Sequence, residues 1–226
     1  MKIKVLIFDF DGLILDTETP EFDVWQAIYA EHGQELHPEQ WGQIVGGWGA
    51  SQFDAAENLT ELAGNGLNAE ELRARHKSES DALTLRQPIL PGVMDYLDEA
   101  NRLGLRLSIA SSSPRSWVID THLTRLGLAD RFDAVITSDD VPPGYTKPRP
   151  DLFLKALETL NIKAHEAIVF EDSPNGVKAG RAAGIYVVFV PNPMTALLKT
   201  ENTSLILKSL ADMPLQELIK NVSGIL

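Results

Sequence analysis

Val5-Leu6-Ile7-Phe8-Asp9-Phe10-Asp11-Gly12 reads as a buried strand that runs into two acids and a glycine. Four apolar residues, two of them β-branched, favour an extended chain. In such a chain Asp9 and Asp11, two residues apart, share one side while Phe8 and Phe10 take the other. Acids at the end of a buried strand are costly unless something cationic compensates them, so this stretch predicts both a sheet and a charged site at its edge.

Outward from that strand, short apolar runs recur at 105–111 (LRLSIAS), 134–137 (AVIT), 167–172 (AIVFED) and 186–191 (YVVFVP). Between them lie helical patterns at about 91–103, 114–126, 150–160 and 174–183. Alternating strands and helices predict an α/β fold, a Rossmann-like parallel sheet flanked by helices. Residues 17–86 break the rhythm with amphipathic segments and no strand. FDVWQAIYAEH (22–32) has helical spacing, SQFDAAENLTELAG (51–64) starts at a serine cap and ends at glycine, and Asn68 caps AEELRARHKSESDALTL. The expected division is a catalytic core of 1–16 and 87–226 with an inserted all-helical cap of 17–86. Two crossings, near 16–20 and 86–91, let the cap hinge.

Ligands of open parallel sheets bind where strands end and their order reverses. Asp9 and Asp11 end the first run, Ser111-Ser112-Ser113-Pro114 the second, and Glu171-Asp172-Ser173-Pro174 the fourth, while Thr146-Lys147-Pro148-Arg149 follows the third. If the two pairs of acids converge, a hard divalent cation with oxygen ligands, Mg2+, is the natural counter-ion, held by Asp9, Asp11, Glu171 and Asp172. Phosphoryl transfer needs a nucleophile, a proton shuttle, a metal and fixed positive groups. Asp9 can attack phosphorus, Asp11 can move the proton, and Lys147 can hold both carboxylate and phosphoryl group. Ser111, with Ser112 beside it, offers phosphate donors at a helix start marked by Ser113 as cap and Pro114. Taken singly each motif has a bland account, a helix cap or a solvated lysine; their order at consecutive strand ends argues for a site.

A formal charge of −12 at pH 7 disfavours nonspecific attraction to nucleic acid or anionic lipid, and neither is expected as a partner. With no cysteine there is neither disulfide framework nor thiolate chemistry. No apolar stretch reaches membrane-spanning length and the N-terminal run lacks a cleavage site, so the expected setting is the cytoplasm, without a membrane partner, as monomer or weak dimer. The scattered histidines lack ligand spacing, and Trp25, Trp41 and Trp117 fall in helical patterns where burial is the default.

DFDGLILDTE (9–18), SIASSS (108–113), KPRPD (147–151) and FEDSPNGVKAGRAAG (170–184) together resemble the haloacid dehalogenase superfamily, and within it the β-phosphoglucomutase-like phosphatases with a helical cap. The resemblance implies Asp9 as nucleophile and Asp11 as general acid/base, its backbone carbonyl also meeting Mg2+. It likewise implies Ser111 and Lys147 as phosphate ligands and Glu171 with Asp172 as the acidic metal pair. The second acid at Asp11 disfavours dehalogenation. Lys77, which would have to form a Schiff base in a phosphonate-cleaving relative, sits on a polar helix and reads as solvated.

The resulting expectation is a Mg2+-dependent phosphatase of a small phosphorylated metabolite, with sugar phosphates favoured by the resemblance. A phosphosugar mutase is the alternative; the loop 45–51 lacks a cation for a second phosphate, and Glu21 stands where the mutases carry histidine. A noncatalytic phosphometabolite-binding protein is a more distant one. Glu18, Gly47 and Trp48 are substrate-contact candidates, with Trp48 equally able to pack between helices.

Overall fold

The computed structural model describes residues 2–41, 53–64, 66–198, 200 and 203–225. Gly47 and Trp48 lie outside the described residues.

Six parallel strands form one sheet: β1 (Val5–Phe8), β2 (Arg106–Ala110), β3 (Ala134–Ile136), β4 (Ala167–Glu171), β5 (Tyr186–Phe189) and β6 (Leu205–Ile206), in the order β3-β2-β1-β4-β5-β6. β1 is central, with Phe8 opposite Ile109 on one side and Phe170 on the other. Alternation along β1 serves two cores. Leu6, Phe8 and Phe10 enter one apolar cluster, where the Phe8 and Phe170 rings stack at 4.9 Å, while Val5 and Ile7 enter the cluster on the opposite face. Because both faces are covered, β1 is apolar without interruption until Asp9. Chain order reverses across β1, whose neighbours are β2 and β4, so the carboxyl end of β1 lies at the switch point.

β6 has no counterpart among the strand-predicting apolar runs of the sequence. Two residues are too few to show alternation, and only pairing with β5 defines the strand.

Among the described residues, α1 (Glu18–Glu31), α2 (Pro38–Trp41), α3 (Ala55–Ala63) and α4 (Ala69–Thr84) follow β1 before the chain returns to the sheet. They bury a cluster of their own that includes Phe22, Trp25, Ile28, Tyr29, Trp41 and Leu59. Tyr29 Oη donates to Ala55 O at 2.7 Å, tying α1 to α3. Asn68 caps α4 as its sequence suggests, accepting from the N–H of Glu70. α3 is capped by Asp54, which accepts from Glu57 N; the expected cap, Ser51, lies outside the described residues. Asp16 Oδ1 accepts from Thr19 N and opens α1. The two chain crossings run side by side, since Leu15 and Ile89 form an antiparallel bridge and Leu90 N donates to Ile14 O at 2.9 Å.

The remaining helices flank the sheet: α5 (Val93–Arg102), α6 (Thr124–Leu126), α7 (Asp151–Leu160), α8 (Pro174–Ala182) and α9 (Leu215–Ile225). A widened helical turn, Ser116–Leu123, leads into α6. Its start corrects the expectation for Ser113. The serine hydroxyl does not cap the helix but donates to Asp11 at 2.7 Å, because the chain bends back toward the end of β1 before the helix begins at Ser116.

Candidate active site

Asp9 follows the last residue of β1, and its N–H still donates to Phe170 O at 3.0 Å, so the sheet itself fixes the position of this carboxylate. Lys147 Nζ lies 2.5 Å from Asp9 Oδ1 and 2.6 Å from Glu171 Oε1. All three side chains are buried. Lys147 reaches this point from the loop between β3 and α7, where the Lys147–Pro148 peptide is cis. Carboxylate oxygens of Asp9, Glu171 and Asp172 all lie within 4.8 Å of one another.

The electrostatics are unbalanced. Three carboxylates, if all ionised beside one ammonium, would carry a surplus of two negative charges in a buried space. Burial accordingly pushes the Asp9 carboxyl up to about 7 despite the pull of Lys147, with Glu171 and Asp11 adding to the rise. Burial also holds Asp172 well above its ordinary range, with Asp9 and Glu171 adding repulsion. For Lys147 burial works the other way, but Asp9 and Glu171 outweigh it and keep the amine charged. The donor set of buried carboxylate oxygens fits a hard divalent cation, which would supply the missing charge.

The acidic trio is tightly shaped. Ser173 caps α8, its Oγ accepting from Gly176 N at 3.1 Å, and both its hydroxyl and N–H donate to Glu171 Oε2. The Glu171 carboxylate rests on Gly176, where an added Cβ would stand 1.8 Å from Cδ. Gly12, at a φ of +77°, leaves room for Asp172 Oδ2, 2.3 Å from where its Cβ would fall. Asn192 completes the cradle: its Nδ2 donates to Asp172 Oδ2 at 2.8 Å, and its Oδ1 accepts from the N–H groups of Met194 and Thr195.

Asp11 takes another direction. Its carboxylate lies outside the trio and accepts from Ser113 Oγ at 2.7 Å, Ser111 Oγ at 3.2 Å and Trp117 Nε1 at 2.8 Å. Ser111 is buried, and the buried hydroxyl of Ser112 has no hydrogen-bond partner. Glu18 opens α1, with its carboxyl raised by burial and by repulsion from Glu21 and Asp11. Glu21 is pushed up to about 7 by burial, Asp11 and Asp81, against Lys77. Lys77 is exposed and paired with Asp81.

The structure therefore brings together Asp9, Lys147, Glu171 and Asp172, and joins Ser111 to Asp11. Sequence reasoning missed Gly176, Asn192 and Trp117. Gly176 carries a signal, a glycine near the start of a helix where propensity disfavours it. Asn192, in a turn flanked by prolines, and Trp117, in an amphipathic run, carry none.

The profile described as haloacid dehalogenase-like hydrolase matches residues 6–190, and the chain belongs to that family. Its relatives sharpen the picture. YhcW of Bacillus subtilis (strain 168), which bears a provisional phosphatase name, is 42% identical over 222 residues, 98% of this chain and 99% of its own. The phosphorylated carbohydrates phosphatase of Thermotoga maritima is 29% identical over 188 residues, covering 83% of this chain and 84% of its own. A crystal structure from Thermotoga maritima, provisionally named a β-phosphoglucomutase, superposes with a TM-score of 0.74 at 25% identity, covering 99% of this chain and all of its own. The chain is thus a hydrolase of the phosphatase kind. Among the described residues no helix is long and apolar enough to cross a membrane.

Proposed function

We propose that this protein is a Mg2+-dependent phosphomonoesterase of a small phosphorylated metabolite, a sugar phosphate, that works through an aspartyl phosphate on Asp9. One observation carries the proposal: the Asp9 carboxylate, ion-paired with Lys147, lies within 4.8 Å of Glu171 and Asp172 at the carboxyl end of β1.

Asp9, Asp172 and Glu171, with the backbone of Asp11, would hold Mg2+, which supplies positive charge to the phosphoryl oxygens when bound. In the first half-reaction a carboxylate oxygen of Asp9 attacks phosphorus, the bond from phosphorus to the ester oxygen breaks, and that oxygen takes a proton from Asp11. In the second, Asp11 removes a proton from water as it attacks the same phosphorus, releasing phosphate and restoring Asp9. Lys147 opposes the rise that burial imposes on Asp9 and meets the charge spreading over the phosphoryl group. Ser111 and Ser112 donate to the remaining oxygens; the partnerless hydroxyl of Ser112 supports that role.

Residues 17–86 are assigned as a helical cap over a core of 1–16 and 87–226. A separate apolar cluster and two adjacent crossings support this division. Glu18, at the cap's first helical residue, is assigned to a substrate hydroxyl. The phosphatase names of the relatives, among them one for phosphorylated carbohydrates, support a sugar phosphate over a mutase reaction.

The test is purified protein with p-nitrophenyl phosphate, with and without EDTA, beside Asp9→Ala, followed by a panel of phosphorylated metabolites. The expected result is metal-dependent phosphate release that the substitution abolishes. Turnover that survives EDTA, or full activity in Asp9→Ala, overturns the proposal.

A further inference from the structure

The Asp11 carboxylate is not symmetric in its surroundings. Oδ2 faces two hydroxyls, Ser113 Oγ at 2.7 Å and Ser111 Oγ at 3.2 Å, whereas Oδ1 faces the indole N–H of Trp117 at 2.8 Å. The chemistry of these partners differs. A hydroxyl donates or accepts as required, while an indole nitrogen only donates. An oxygen held by a fixed donor stays an acceptor; an oxygen beside hydroxyls can carry a hydrogen and pass it on.

The indole is itself held in place. The His122 ring stands edge-on to Trp117 with centroids 4.3 Å apart at 74°, and Lys77 Nζ reaches over the indole from α4, 5.6 Å from its centroid. Turning the Asp11 carboxyl group out of its plane would therefore break the indole bond, while a half-turn only exchanges equivalent oxygens and restores one acceptor on the indole and one oxygen beside the hydroxyls. Ser111 is also a proposed phosphate ligand, so Oδ2 is the oxygen on the phosphate side.

We infer that Trp117 is a positioning residue for proton transfer: by occupying Oδ1 it makes Oδ2 the oxygen of Asp11 that protonates the departing ester oxygen. The balance is that of the first half-reaction. A bond forms between Asp9 and phosphorus, the bond from phosphorus to the ester oxygen breaks, and the proton leaves Asp11 Oδ2 for that oxygen. The inference rests on the phosphatase reading and deepens it. It concerns only substrates whose leaving group needs a proton; p-nitrophenolate departs without one.

The experiment compares kcat/KM of wild type and Trp117→Phe on p-nitrophenyl phosphate, phenyl phosphate and glycerol phosphate with Mg2+ present. Phenylalanine keeps a ring beside His122 and removes the N–H. The expected result is a loss of about tenfold or more on glycerol phosphate, part of the 10²–10⁴ that a general acid contributes. The rate on p-nitrophenyl phosphate should stay within about twofold. This difference should vanish when both proteins also carry Asp11→Asn. Equal losses across the series, which lost packing would give, or no loss on any substrate, overturns the inference.

A second measurement uses the intact indole. In 15N-labelled protein the Trp117 Nε1–H resonance should move upfield in Asp11→Ala, and an unmoved resonance also overturns the inference. A wild type without Asp9-dependent hydrolysis would instead remove the reading beneath it, so the two failures are told apart.

Discussion

The Glu171 carboxylate occupies the space that a side chain on Gly176 would fill, with 1.8 Å between Glu171 Cδ and the position of an added Cβ. A helix whose first turn contains Gly176 thus serves as the floor of the acidic site, and Ser173, which caps that helix, also donates to Glu171. The same segment sets the fold of α8 and the aim of an acid.

Gly176→Ala must displace Glu171, because the contact is with a carboxylate held by Ser173 and Lys147. Overpacking of this kind costs about 1–3 kcal/mol, despite alanine's better helix propensity. Urea unfolding should show that loss together with weaker activation by Mg2+. Wild-type stability and Mg2+ response in the variant would show that Glu171 moves aside freely.

Lys147→Met keeps most of the length of the side chain and removes its charge. Asp9 and Glu171 then remain buried without their ammonium, a change that costs about 3 kcal/mol where one partner of a buried pair is deleted. Hydrolysis of p-nitrophenyl phosphate should fall by at least roughly a hundredfold. Thermal denaturation should show the destabilisation shrinking at about pH 5, where the orphaned acids can take up protons. A destabilisation that does not change with pH contradicts this.

Asn192→Leu removes the donor to Asp172 and the acceptor for two backbone N–H groups. Leaving such groups unpaired costs about 1–3 kcal/mol. Because Asp172 also loses its orientation, the Mg2+ concentration for half-maximal activity should rise. Loss of stability with an unchanged Mg2+ requirement would confine Asn192 to shaping the loop.

The raised acids set a pH dependence with a definite sign. Asp9 stands at about 7 in the folded protein against an ordinary 3.8, and burial raises Asp172 as well. A group that binds its proton more tightly when folded contributes stability below its unfolded pKa and loses it as pH rises through the folded one. The metal-free protein should therefore lose thermal stability from Asp9 between about pH 4 and 7. A divalent cation binds the ionised acids, so MgCl2 should raise Tm more at about pH 8 than at about pH 5. Equal shifts at both would contradict the assignment of these acids as its ligands.

The amino-acid sequence by itself determined the parallel sheet, the helical segment between its first two strands, and the strand ends that carry Asp9, Ser111, Glu171 and Asp172. These are local matters, because apolar runs, caps and alternation act over a few residues. Tertiary structure alone decided which groups meet. Lys147 is 138 residues from Asp9 in sequence and Trp117 is 106 from Asp11, and no periodicity encodes either contact. Nor does the two-residue spacing of Asp9 and Asp11 reveal that their carboxylates part company, one to Lys147 and the other to Ser111, Ser113 and Trp117. The extended chain that would keep them together ends with β1 at Phe8, and beyond it the backbone turns through Gly12 to make room for Asp172. Side-chain direction there follows from packing between distant segments, which a linear pattern does not contain.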